Sequence, residues 1–454
     1  MKLVVIGGNP AGLSAASAVR RARSDWDVVV YEKGPYISYG SCGLPYYIEG
    51  VVKNKDNLIT ITRERFLQER NIPVNIFHEV KSVNFDAKTV TIVNLENNDE
   101  FIEKYDYLMI ATGGKPKIPP ELKIEHERIF FLHTIEDADR IKEFLIKTQV
   151  ESGILIGTGY INLETVEAYK ALGIDDLTVI GPRLIFRTKS QEYIRKELEK
   201  HGIKMIIGEY VKNIEPISDD RLKVLMQNGI ELEADFIQVG VGVVPNTSMF
   251  KGTGLKMMDN GAIIVDKYMR TNIENVFAGG DCACVYHRIL KKNTYIPLAP
   301  AANKQGRIAG NVIAGKKVDP FPGVVGTSAW KVFDLYCAKT GITENEAREL
   351  GYEPATILIE ANEIAHYYPN RDNLFQLKMS VLYVFDTISH KLLGAEITAP
   401  SPLGAKKIDV LATALAAEMK IDDIQKLDLS YAPPFAPVWD PILVAANVAR
   451  RKCK

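Results

Sequence analysis

The strongest constraint on this chain is a pattern that occurs twice. KLVVIG runs into the turn Gly7-Gly8-Asn9-Pro10-Ala11-Gly12, then a helical stretch AGLSAASAVRRAR and a second apolar run, DVVVYE. From 152 the order returns: GILIG, the turn Gly157-Thr158-Gly159-Tyr160-Ile161-Asn162, the helical stretch YINLETVEAYKALG, and DLTVIG. Strand, glycine turn, helix and strand make a βαβ unit, whose helical crossover sets the two strands parallel. The repeat therefore predicts an α/β chain with two Rossmann-like units, each offering a helix N-terminus to a pyrophosphate.

The two turns differ in ways that bear on their ligands. In the first, Gly7 permits the tight turn and Gly12 lets helix and strand approach, although Asn9 replaces the middle glycine. Glu32 closes the next strand, where a carboxylate can bond a ribose hydroxyl. In the second, Asn162 stands where the third glycine belongs, which predicts looser helix–strand packing and weaker cofactor binding. Aligning DVVVYE with DLTVIG sets Gly181 opposite Glu32. With no acid to repel a 2′-phosphate, and Arg183 and Arg187 following, this unit is expected to take NADPH, alone or alongside NADH.

A chain of 454 residues exceeds one ordinary core. The expected division is 1–115 with 252–325, 116–251, and 326–454. Residues 80 to 110 alternate, which predicts antiparallel strands ending in Ala111-Thr112-Gly113-Gly114, with Pro116, Pro119 and Pro120 marking a linker. Strands and turns around FAGGDCA lead to a small-residue helix, APAANKQGRIAGNVIAG. The last segment alternates strands (YEPATILIE, LKMSVLYVFD, KLLGAEIT) with one helix, KKIDVLATALAAEM, and predicts a separate α+β domain.

The net charge of -1 shows no basic excess for nucleic acid. The apolar runs are strand-length, short of the ~20 residues a membrane span needs. The N-terminus enters a strand directly, so no signal peptide is expected. Five scattered cysteines do not form a disulfide framework, and Cys282-Ala-Cys284 is too close for the usual CxxC metal spacing. No metal and a reducing, cytoplasmic setting are expected.

Taken together, SYGSCGLPYYI, the ATGG turn, GTGYINLE, VGVVPNT, NVFAGGDCA, PLAPAANKQGRIAGNVIAG, HYYPN and YAPPFAPVWDP resemble a known family. It is the flavoprotein disulfide reductases with two dinucleotide-binding domains, in the branch of coenzyme A-disulfide reductases, NADH oxidases and NADH peroxidases. The resemblance implies FAD in the first unit, NAD(P)H in the second and a C-terminal domain that forms a homodimer. It implies FAD contacts from Gly7, Gly8, Pro10, Ala11, Gly12, Glu32, Lys33, Ser41, Val80, Ala111, Thr112, Gly113, Gly280, Asp281, Leu298 and Ala299, with Asp281 on the ribityl chain. For NAD(P)H it implies Gly157, Thr158, Gly159, Tyr160, Ile161, Glu164, Gly181, Arg183, Arg187 and Gly242, with Pro245 in the same loop. Tyr160 matches a tyrosine that covers the flavin face until the nicotinamide displaces it.

Disulfide-exchanging relatives often carry a second cysteine five positions after the first, but here that position is Tyr47. A lone Cys42 must oxidise to a mixed disulfide with a small thiol or to a sulfenic acid. Its serine, glycine and proline neighbours suggest a tight turn into a helix, whose N-terminus lowers a thiol's pKa. Peroxidase and oxidase members often place a histidine where this chain has Pro10. The disulfide reductases instead bring two tyrosines from the partner subunit, matched here by Tyr431 and by Tyr367 or Tyr368. A neutral phenol can protonate a departing thiolate.

Coenzyme A phosphates need cations, and Arg20, Arg21, Arg23, Arg63, Arg65 and Arg70 are candidates. The resemblance selects Ser14, Arg21, Ser38, Ser41, Arg70 and Asn303. The expected activity is NAD(P)H-dependent reduction of coenzyme A disulfide or a related small disulfide through Cys42. NAD(P)H oxidase and polysulfide reductase are the alternatives. An electron-transfer reductase serving a ferredoxin or rubredoxin lacks a cysteine at this position, and a redox sensor would hold FAD without turnover.

Overall fold

The computed structural model describes residues 1–186, 189–368 and 378–454. The two glycine turns close two sheets of one design. The first runs Val276–Ala278, Tyr107–Ile110, Lys2–Ile6, Asp27–Tyr31, Val74–Asn75, and every neighbouring pair is parallel. The second runs Lys204–Ile207, Asp176–Gly181, Ser152–Ile156, Phe236–Val239, Ile129–Phe130, again all parallel. Their strands are continuous apolar runs because parallel strands are covered on both faces; Leu3, Val4 and Val5 are all fully buried.

In each sheet the strand carrying the glycine turn lies where the order reverses, so a crevice opens at the carboxyl ends of the strands. Helix Pro10–Ala22 leaves the first turn and packs along Ala299–Ile313. Gly306 and Gly310 set their bare Cα atoms against the backbone of Ala11 and Ala15, where a Cβ would overlap. The small-residue pattern of the later helix thus serves backbone-to-backbone packing.

Three expectations need correction. Tyr107–Ile110 does not continue an antiparallel meander: only His78–Asn84, Thr89–Asn94 and Glu100–Lys104 do that, while Tyr107–Ile110 joins the parallel sheet beside Lys2–Ile6. Its Leu108, Met109 and Ile110 are fully buried, which alternation cannot signal. The proline-marked linker holds a short strand, Gly114–Pro116, paired antiparallel with Val243–Pro245 where the chain leaves and returns.

The C-terminal sheet is antiparallel, ordered Ser328–Val332, Leu335–Gly341, Leu392–Ala399, Lys378–Asp386, Pro354–Asn362. Its first two strands form a hairpin that the sequence reading did not include. Around it lie five short helices among the described residues, not one, of which Pro441–Arg450 at ten residues is the longest. Short helices carry too few turns for their period to show. No described helix is long and apolar enough to cross a membrane.

Candidate active site

Cys42 sits in a three-residue 3-10 turn, Ser41–Gly43, that runs directly into helix Leu44–Glu49. The segment is tied to the first glycine turn: Ser38 N donates to Gly8 O at 3.0 Å, and Ser38 takes φ 46 to do so. Cys42 is exposed. The expected lowering of its pKa is not what the chain's own groups produce. Desolvation by burial first, then the Glu164 and Asp281 carboxylates, push the thiol up, and the backbone and Ser41 bonds that oppose them are weaker.

Tyr47, at the place of a second redox cysteine, is buried and points elsewhere. Its hydroxyl donates to Asp139 Oδ1 at 2.8 Å, and Lys55 reaches Asp139 Oδ2 at 2.7 Å. Lys142 donates to the Tyr47 carbonyl at 2.7 Å and lies 4.0 Å from the centre of its ring. Asp139 and Lys142 belong to helix Ile135–Lys147, so Tyr47 stitches the cysteine segment to the chain leading into the second repeat.

On the other side of the thiol, Tyr46 OH donates to Glu164 Oε1 at 3.3 Å. Burial pushes Glu164 up to about 7 against the donors Tyr46 and Lys331 N–H, with Glu167 adding like charge. Glu164 thus changes charge near neutrality beside Cys42. Sequence reasoning placed Glu164 with the nucleotide but missed this phenol–carboxyl link, which crosses between repeats and leaves no spacing signal.

The first crevice fits an elongated polar ligand. Gly7 adopts φ 107, and a Cβ there would strike Ala111 O. Glu32 accepts Gly8 N at 2.6 Å and Gly34 N at 2.8 Å, holding its carboxylate at the turn. Asn9 Oδ1, Thr112 Oγ1 and Tyr295 OH are buried without a partner among the described residues. No described residue hydrogen-bonds the Asp281 carboxylate, and desolvation raises its pKa. Such orphaned groups are what a bound FAD would satisfy. Pro10, Ala11 and Gly12 open the first helix, and Ala299 opens the later one after Leu298. Gly280, at φ 81, donates to Gln305 Oε1 at 2.9 Å; Gly113 takes φ 68, Val80 is buried, and exposed Lys33 pairs with Glu79 at 2.9 Å.

In the second crevice Gly157 takes φ 110, Gly159 caps helix Tyr160–Ala171, and Gly242 takes φ 118 with open space around it. A Cβ on Gly181 would lie 2.9 Å from Thr158 Cγ2, and Thr158 Oγ1 donates to Arg183 O, so the site has no room for an acid. Arg183 is exposed. Arg187 lies outside the described residues.

Asn162 does not loosen the packing. It is fully buried, and its Nδ2 donates to Ile156 O and Gly157 O, both at 2.9 Å. Its Oδ1 accepts Gln238 Nε2 at 2.8 Å, and Gln238 accepts Tyr169 OH. The room comes from Gly240, whose Cβ would overlap the Asn162 amide. The glycine missing from the helix is replaced by one in the turn after strand Phe236–Val239.

Of the two candidate tyrosines, Tyr367 meets Tyr431, hydroxyl to hydroxyl at 2.8 Å, and both rings are exposed. Among the cations, Arg20 is committed to Ser24 O and Trp26 O at 2.9 and 2.8 Å, Arg23 to Ala314 O at 2.9 Å, and Arg65 to Glu69 at 2.6 Å. Arg63 lies 3.9 Å from Glu64. Arg21 and Arg70 are exposed and have no partner among the described residues, while Ser14 and Asn303 lie on the two packed helices. Glu197, His201 and Asp334 converge, but Lys200 Nζ is 2.7 Å from Asp334, so the group is an ion-pair network.

Two dinucleotide crevices and one exposed thiol define a class: nucleotide-dependent disulfide oxidoreductases. Residues 1–306 match the pyridine nucleotide-disulphide oxidoreductase family and residues 327–441 its dimerisation domain. The chain is 38% identical over 454 residues to the NAD(P)H sulfur oxidoreductase (CoA-dependent) of Pyrococcus furiosus, covering 99% of each. It is 30% identical over 454 residues to the coenzyme A disulfide reductase of Staphylococcus haemolyticus, again covering 99% of each. The solved structure of a NAD-dependent persulfide reductase from A. fulgidus superposes with a TM-score of 0.93 at 38% identity, covering 100% of this chain and 83% of that one. The chain belongs to the pyridine nucleotide-disulphide oxidoreductase family, whose members use FAD and NAD(P)H.

Two outcomes follow from this geometry. Asn162→Ala should lower stability by roughly 1–3 kcal/mol by orphaning Gln238, and Gly240→Ala by a similar amount through overlap. In an Asn162→Gly background the Gly240→Ala cost should nearly vanish; additive urea-denaturation energies would refute the coupling. Glu164→Gln removes a negative charge beside Cys42, so the rate–pH profile for alkylation of the reduced thiol should move to lower pH. An unmoved profile would remove Glu164 from the electrostatics of Cys42.

Proposed function

We propose that this chain is an NAD(P)H-dependent reductase of coenzyme A disulfide that works through Cys42 alone. The observation that carries this reading is Tyr47, anchored to Asp139 where an internal resolving cysteine would stand. Of the other cysteines, Cys282, Cys284 and Cys337 are buried in other elements and Cys453 lies near the C-terminus. A disulfide at Cys42 therefore needs an external thiol as its partner.

In this reading residues 1–115 with 252–325 hold FAD through the turn residues, Glu32 and Asp281. Residues 116–251 hold NAD(P)H, with Arg183 on the 2′-phosphate side, and residues 326–454 form a homodimer. Bound FAD would pass two electrons from NAD(P)H to a disulfide. The remaining work falls to the chain. The Cys42 thiolate attacks one sulfur of coenzyme A disulfide, the S–S bond breaks, and a Cys42–coenzyme A disulfide forms as one coenzyme A thiolate leaves. Two electrons and a proton then cleave the mixed disulfide, returning the thiolate and a second coenzyme A thiol. The exposed Tyr367–Tyr431 pair would face the partner subunit's Cys42, with Tyr431 donating the proton and Tyr367 orienting it. Arg21 and Arg70 would meet the phosphates, with Ser14, Ser38, Ser41 and Asn303 along the tail, and Tyr160 would cover the flavin face. A working thiol of this kind suits a reducing cytoplasm.

A second reading uses the same site. The 38% identity to a CoA-dependent sulfur oxidoreductase favours a coenzyme A persulfide as the attacked group. Attack by Cys42 on its coenzyme A sulfur gives the same mixed disulfide and releases hydrosulfide.

The test is the intact mass of the non-reduced, FAD-loaded protein before and after dithiothreitol. A removable adduct of one coenzyme A on Cys42 is expected, absent in Cys42→Ser. That variant should keep FAD and lose coenzyme A disulfide turnover roughly a thousandfold or more. One added oxygen on Cys42 with no thiol adduct would turn the assignment to oxidase chemistry.

A further inference from the structure

The hairpin strand Ser328–Val332 belongs to the C-terminal sheet but lies against helix Tyr160–Ala171 of the second nucleotide unit. Side chains two apart on a strand share a face, so Ser328 and Trp330 address this helix together. Ser328 Oγ is 2.8 Å from Tyr160 OH. The Trp330 ring meets the Tyr160 ring edge-on, with centroids 4.9 Å apart at 64°. On its other side Trp330 meets Phe186 at 4.6 Å and 63°. Phe186 follows Arg183 in the loop that leaves strand Asp176–Gly181, so the ribose-side loop, Trp330 and Tyr160 form one continuous contact.

The strand is not free to follow a movement of Tyr160. About two turns further along the same helix, Glu167 accepts Phe333 N at 2.8 Å and pairs with Lys331. A swing of the Tyr160 side chain away from this strand must therefore break its bond to Ser328. Trp330 is 5% exposed, and its Nε1–H has no acceptor among the described residues. A buried unpaired donor is costly, so a rearrangement that brings it an acceptor gains that interaction.

We propose that Ser328 and Trp330 are positioning residues for nicotinamide entry: they hold Tyr160 in place from the C-terminal sheet, and entry must break the Ser328 bond. This rests on the reading that Tyr160 covers the place the nicotinamide takes. The latch lowers apparent nucleotide affinity by the fraction of time Tyr160 stays closed. It also lets the ribose-side loop report to Tyr160 through Trp330.

The test is binding of NADP+ and NAD+, which do not turn over, to the FAD-loaded protein, followed by tryptophan fluorescence. Of the three tryptophans, Trp26, Trp330 and Trp439, only Trp330 touches Tyr160. Trp330→Phe should abolish the fluorescence change on binding, and Trp26→Phe and Trp439→Phe should leave it. Ser328→Ala should tighten binding about 5-fold, the worth of one net hydrogen bond. Tyr160→Phe should do the same, the double variant should add nothing, and Ser328→Thr should restore the original affinity. If Tyr160→Phe tightens binding but Ser328→Ala does not, the latch is wrong while the role of Tyr160 stands. If neither variant nor Tyr160→Ala moves the affinity, the covering role of Tyr160 fails with it.

Discussion

Both nucleotide crevices depend on backbone meeting backbone with no side chain between. At the first, Gly7 stands against Ala111 O; at the second, Gly157 stands against Gly240 O, and a Cβ at either would overlap. These contacts bring the turn after one strand against the turn after its neighbour, at the point where strand order reverses. The pyrophosphate position, the helix N-terminus and the neighbouring loop all take their places from that approach. Gly306 and Gly310 extend the same device along the first helix, and Ala299, Asn303 and the first crevice are positioned through them.

The thiol is then placed by what surrounds this frame. Cys42 is a free thiol, and its segment is fixed from three directions. Ser38 bonds to Gly8, Tyr47 is held by Asp139 and Lys142, and Tyr46 meets Glu164. Three of those partners, Asp139, Lys142 and Glu164, come from helices of the second unit or the chain entering it. The C-terminal hairpin adds Ser328 and Lys331 to the same helix that carries Glu164. One short helix, Leu44–Glu49, therefore gathers contacts from well-separated parts of the chain.

Much of this frame was legible. The glycine turns and their flanking strands are local patterns, and a βαβ unit is readable from a window of some thirty residues. What escaped was non-local. The Asn162 substitution read as a defect because its remedy, Gly240, lies far along the chain, in the turn after strand Phe236–Val239. The parallel placement of Tyr107–Ile110 was hidden because a strand buried on both faces shows no alternation. The Ser328–Tyr160 contact and the Tyr46–Glu164 link pair residues more than a hundred positions apart, and no spacing rule connects them. The lone thiol was plain, but its electrostatics were not, because a helix N-terminus was weighed without the carboxylates opposite it.

Those carboxylates bear on the resting state of Cys42. Glu164 and Asp281 lie on its electrostatic horizon, and no described cation is among the groups that shift it. Although Cys42 is exposed, a bare thiolate there meets partial desolvation by its surroundings and like charge together, and the chain's own residues disfavour it. A mixed disulfide carries no charge on the sulfur and escapes both terms. The same surroundings that raise the thiol's pKa therefore disfavour Cys42 ionised and free relative to its uncharged forms, the protonated thiol and the thiol-capped disulfide. Glu164 tunes the balance. Protonated below about 7 it lowers the barrier to a thiolate, and ionised above it strengthens the preference for the uncharged forms. A second cysteine would have supplied the cap from within; with Tyr47 in its place, a disulfide cap on Cys42 can come only from a thiol in solution.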